Sequence, residues 1–124
     1  MGEIKQSLEI GHVGNWVRVS AIYDTGATTS YLKEYYAKKI NAIPIQNVTT
    51  ILGDGRKVKG WISQINVKIG NRIGLVDVIV VPNLDGELLI GQDFMQKNDI
   101  KLDMRREKLL FGTGQPKLKK IYRL

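Results

Sequence analysis

No cysteine occurs among the 124 residues, and the single histidine is His12. A disulfide framework and thiol catalysis are therefore excluded, and nearly every common zinc site goes with them. No metal and no organic cofactor is expected. No apolar run reaches the length of a membrane span: "VDVIVVP" has the length of a strand. "MGEIKQSLEI" has no apolar core and does not read as a signal peptide. It approaches a myristoylation pattern, but Gln6 stands where Ser or Thr is needed. Repeats, linkers and low-complexity stretches are also missing. "GDGRKVKG" is no phosphate loop, since it lacks the Gly-Lys-Ser/Thr ending and no helix follows it. These absences suit a soluble protein without a membrane partner, expected in the cytoplasm. Met1 and the extended tail read as a free-standing protein rather than a piece of a polyprotein.

What is present fits one domain over 1–124, with 43% hydrophobic residues and a formal net charge of +7. The positive charge gathers late, in "MRREK" and "KLKKIYRL", which reads first as a solvated end. Nucleic acid is not the expected partner. Most of the chain reads as short strands separated by glycine turns. "WVRVSAIY" (16–23) alternates and then becomes wholly apolar, "QINVKIG" (64–70) alternates throughout, and "GLVDVIVVP" (74–82) is β-branched and ends at a proline. "KLLF" (108–111) after "MRRE" suggests a late hairpin. Two segments read as helical: "YLKEYYAKKINA" (31–42), with Ser30 as its cap, and the shorter "QDFMQKND" (92–99). Trp16 and Trp61 are assigned to the core and His12 to a turn. The fold class is mainly β with one or two short helices.

Chemistry concentrates in "AIYDTGATTS" (21–30). Asp-Thr-Gly after a strand is a common turn, because Asp bonds local backbone and Gly accepts positive φ. Here, however, an apolar strand delivers Asp24 into the turn, and the small Ala27 follows. A carboxylate carried to the edge of a core can have its titration tuned.

"AIYDTGATTS" resembles the active-site loop of retropepsin-like aspartic proteases. "ELLIGQDFM" (87–95) is similar to the second motif of that family, in which apolar residues precede a glycine that lets two backbones meet closely. Between them, "TILGDGRKVKGWISQINVKIGN" (50–71) reads as a hairpin with "GDG" at its tip, the family's flap. "IKLDMRREKLLF" (100–111) is similar to a closing hairpin of retroelement proteases. The resemblance spans about 15–111. It implies a closed-barrel-like acid protease fold of a single lobe, with residues 112–124 either a basic tail or a strand of a dimer sheet.

The resemblance implies roles residue by residue. Asp24 carries catalysis, Thr25 interlocks with a second copy of the loop, and Gly26 makes the turn. Ala27 and Thr28 face substrate, and Gly53, Asp54 and Gly55 form the flap tip over it. Amide hydrolysis by this chemistry needs two carboxylates sharing a proton. Asp-Thr-Gly occurs once and Asp-Ser-Gly never, so the chain holds half a site. A two-fold homodimer brings Asp24 to itself. The implied protein is an aspartic endopeptidase acting on extended polypeptide. The alternative is a catalytically silent dimeric module of the same fold that binds peptide or nucleic acid.

Two positions depart from retroviral members, which carry an acid where Thr28 stands and an arginine where Gln92 stands. Two neutral residues are expected to satisfy one another by a hydrogen bond. Asp54 and Arg56 are expected to give a stiffer, more polar flap tip.

Overall fold

The structure, a computed structural model, describes residues 3–111. The segment 112–124, read above as a basic tail or a dimer strand, lies outside the described residues. Its elements run in the order β1 (Glu3–His12), β2 (Asn15–Asp24), β3 (Ser30–Lys33), α1 (Glu34–Lys39), β4 (Gln46–Ile51) and β5 (Lys57–Ile69). They continue as β6 (Arg72–Val81), β7 (Leu88–Ile90), α2 (Gln92–Lys97), β8 (Ile100–Asp103) and β9 (Lys108–Phe111).

Alternation sets the strands. In β5, Ile65, Val67 and Ile69 point inward while Gln64, Asn66 and Lys68 point away. In β6, Val76, Val78 and Val80 do the same. Seven strands join in the order β1-β2-β7-β3-β6-β5-β4, and β1 also pairs with β5 through 9–11 against 66–68. That extra pairing closes six strands into a barrel and leaves β4 outside it. The outer edge of β5 serves β4 along 57–62 and β1 along 66–68, which its 13-residue length permits. The first half of β5 therefore projects with β4 as a long hairpin. Strands β8 and β9 form a separate two-stranded ribbon.

Tyr23, Leu32, Ile65, Val80, Leu88, Ile90 and Phe94 fill the barrel and the seam under α2. Each such side chain contributes about 1.5–3 kcal/mol relative to exposure. The expected strands, the late hairpin and the second helix all form. Among the described residues, no helix is long and apolar enough to cross a membrane.

Three expectations are corrected. The helix expected over 31–42 begins only at Glu34, because β3 takes up 30–33 between β6 and β7. Tertiary pairing overrides the local periodicity. Ser30 is accordingly no helix cap, and Lys33 stands at the cap without a side-chain bond. Strand β1 was not read from the sequence. Its inward series Ile4, Leu8 and Ile10 is interrupted at Gln6, whose Oε1 accepts a 2.8 Å hydrogen bond from the buried Tyr23 hydroxyl. Trp16 is not core: it lies across Gly11 on the neighbouring strand, 36% exposed, with the Lys68 ammonium 4.0 Å from its ring. Trp61 is half-buried against the core, with its indole N–H 3.3 Å from Glu34 Oε2.

Candidate functional site

Strand β2 ends on Asp24, one residue beyond the fully buried Tyr23. The chain then turns sharply. Gly26 N–H donates to Asp24 Oδ1 at 2.8 Å, and Ala27 N–H donates to the Asp24 carbonyl at 3.2 Å. The aspartate thus shapes its own turn, and the turn in return aims the carboxylate. The half-buried Asp24 faces a cleft of about 790 Å³.

The turn is braced from behind by β7 and α2. Strand β7 runs parallel to β2, with Tyr23 opposite Ile90, so Gly91 arrives beside the loop. A Cβ on Gly91 would sit 2.7 Å from the Thr29 carbonyl oxygen and 2.9 Å from that of Ala27. Only glycine allows this approach, as the second motif implied. Gln92 N–H then donates to Ala27 O at 2.8 Å, and Asp93 N–H to Thr28 O at 3.1 Å. The side chains of Thr28 and Gln92 do not satisfy one another as expected. Gln92 Nε2 reaches past Thr28 to the Thr25 carbonyl at 3.3 Å, because α2 presents its backbone, not its side chain, to Thr28.

Sequence reasoning missed two residues of this brace. Ser30 is fully buried; its hydroxyl donates to Asp93 Oδ1 at 2.8 Å and accepts from Gly91 N–H at 3.0 Å. Asp93 Oδ2 also accepts from Ser30 N–H at 3.3 Å, and Oδ1 from Phe94 N–H at 2.7 Å. The only signal available was an acid in the first turn of a helix, where it suits the dipole.

The hairpin closes the opposite side of the cleft. Its tip folds by Gly55 N–H to Leu52 O at 2.8 Å, with Gly55 at φ +88°. Asp54 accepts from Arg56 N–H at 3.0 Å and from its guanidinium at 2.6 Å. Those bonds hold the Asp54 carboxyl below its ordinary range, the backbone bond contributing most. The tip is polar, with the Asp54–Arg56 pair about half exposed on it. Of the eight residues singled out, Asp24, Gly26, Ala27, Thr28, Gly53 and Asp54 line the cleft, whereas Thr25 and Gly55 do not. Thr25 lies against Gln92, and Gly55 makes the turn.

Farther back, Glu87 ties β2, α1 and β7 together. Its carboxylate accepts Ser20 N–H and the Tyr36 hydroxyl, each at 2.7 Å, and these bonds lower its pKa. The Tyr36 hydroxyl is correspondingly raised, chiefly by that bond to Glu87. Among the described residues, no three His, Asp or Glu side chains come together as a metal-ligand set.

Residues 11–97 match the model of the "gag-polyprotein putative aspartyl protease" family. Among solved structures, EIAV protease in complex with the inhibitor HBY-793 is similar at 19% identity, with a TM-score of 0.65 over 82% of this chain and 92% of that one. The retroviral protease-like domain of Ddi1 from Leishmania major has 18% identity and the same TM-score, 0.65, covering 95% of this chain and 97% of its own. A retropepsin-like aspartic protease from Rickettsia conorii is similar at 19% identity and TM-score 0.54, covering 82% and 85%. These structures share the fold.

Proposed function

The chain belongs to the gag-polyprotein aspartyl protease family, and from that premise we propose that it is an aspartic endopeptidase working as a homodimer. Each chain supplies one Asp24. The observation that carries this reading is the Asp24 turn: a carboxylate aimed by Gly26 N–H into a cleft and locked from behind by Gly91, Gln92 and Asp93. A merely structural turn has no need of such bracing beside an open cleft.

Water is activated by the paired carboxyls. The ionised Asp24 takes a proton from water as the oxygen attacks the peptide carbon. The protonated Asp24 of the second chain donates to the carbonyl oxygen, giving a gem-diol. The proton taken from water then passes to the amide nitrogen as the C–N bond breaks, and a gem-diol hydroxyl returns its proton to the second Asp24, leaving acid and amine. Two carboxylates brought side by side cannot both stay ionised, so the proposed pair shares one proton. The chemistry needs one partner ionised and the other protonated, so the rate is expected to fall at both extremes of pH. The β4–β5 hairpin acts as the flap, excluding water and holding an extended peptide through backbone bonds.

The test is cleavage of an unfolded protein substrate between about pH 3 and pH 7, a range spanning the carboxylate titrations. Wild type is compared with Asp24→Asn after both are shown to fold and dimerise alike. The variant is expected to be slower by about 100- to 10,000-fold. Equal rates would remove Asp24 from the chemistry.

A further inference from the structure

One row of side chains crosses the outer face of the barrel beside Asp24. In register, Ile22 on β2 stands opposite Leu89 on β7, Leu89 opposite Tyr31 on β3, Tyr31 opposite Ile79 on β6, and Ile79 opposite Ile62 on β5. Residues opposite in register share a face, and their strand neighbours Ala21, Leu32, Val78, Val80 and Leu88 are buried inside the barrel. All five residues of the row are half-buried. Ile22, Leu89 and Tyr31 line the cleft, whereas Ile79 and Ile62 do not.

The apolar floor is thus interrupted at Tyr31. There the phenol reaches up to β4 and shares a 2.8 Å hydrogen bond with the Thr50 hydroxyl. A tyrosine ring turns on two torsions, and a bond at its far end fixes both. The bridge joins the wall behind the catalytic loop to the base of the hairpin and stands as a partition across the row.

We propose that Tyr31, pinned by Thr50, is a specificity-determining residue. It sets the size limit for the substrate side chain that lies on Ile22 and Leu89 beside the scissile bond. The site takes branched aliphatic side chains of the Val and Leu class and refuses aromatic ones, whose rings would need the floor beyond the partition. This rests on the peptidase reading above.

The test uses peptides that differ only in Val, Leu or Phe at the residue next to the cleaved bond. Wild type is expected to favour the aliphatic peptides by about ten-fold or more in kcat/KM. Tyr31→Val opens the partition and is expected to bring that ratio down toward unity or reverse it. Tyr31→Phe and Thr50→Val each release the ring and are expected to lower the ratio by similar factors, with no further loss when combined. An unchanged ratio in Tyr31→Val overturns the proposal, as does a wild type without size preference.

A second arm needs no catalysis: amide hydrogen exchange along β4 in the same proteins carrying Asp24→Asn. Exchange is expected to quicken several-fold, and equally, in Tyr31→Phe and Thr50→Val. Unchanged exchange overturns the bridge. If wild type cleaves nothing while exchange responds as stated, the size limit falls together with the peptidase reading, and the bridge alone survives.

Discussion

The Asp24 turn depends on residues packed behind it, and Gly91 is the most constrained of them. An added Cβ there meets two backbone oxygens, at 2.7 Å and 2.9 Å, and neither can rotate away. Gly91→Ala is expected to cost about 1–3 kcal/mol in urea unfolding, and to slow cleavage beyond what its folded fraction explains. At the hairpin tip Gly53 has nothing within 4 Å of an added Cβ, so Gly53→Ala is expected to leave stability unchanged. Equal destabilisation by both would refute the close approach. Ser30→Ala strands the buried Gly91 N–H, at a cost of about 1–3 kcal/mol on the same measurement. The Gly91 requirement was legible through the resemblance of "ELLIGQDFM" to the family's second motif, in which the glycine lets two backbones meet closely. The Ser30–Asp93 bond was not readable: its partners lie 63 positions apart, and each looks like an ordinary helix-terminus residue.

At the level of elements, Glu87 fastens β2 to α1, and its behaviour in acid bears on a protein expected to work there. Its folded pKa is lowered, so its contribution is present above the unfolded value of about 4.3 and fades as pH falls through the lower folded one. Glu87→Gln removes that dependence. The melting temperature of wild type is therefore expected to drop more steeply than the variant's between about pH 5 and pH 3; parallel curves would exclude the linkage. Strands with clean alternation, such as β5 and β6, were legible because one face of each is buried. Strand β1 was not, since Gln6 occupies an inward phase to serve Tyr23. The start of α1 was misread because the pairing of β3 with both β6 and β7 outweighs four residues of helical spacing.

For the whole molecule, the proposed dyad makes activity a property of two chains, since each carries a single Asp-Thr-Gly. Cleavage per chain is then expected to fall on dilution through the dimer dissociation range, while a one-chain site would keep it constant. The proposed sharing of a proton between two Asp24 side chains would also make dimerisation take up a proton. Sedimentation is accordingly expected to give a tighter dimer at about pH 4.5 than at about pH 8 in wild type. Asp24→Asn should abolish the difference.

The central claim, one Asp24 from each of two chains, is tested most directly by mixing. Wild type and Asp24→Asn are unfolded together, refolded at constant total concentration and assayed for cleavage across mixing ratios. Mixed dimers carry one aspartate and are inactive on this account, so activity follows the square of the wild-type fraction, and an equal mixture retains about a quarter. A linear fall, with about half remaining at equal mixture, would mean that each chain works alone and would contradict the shared site.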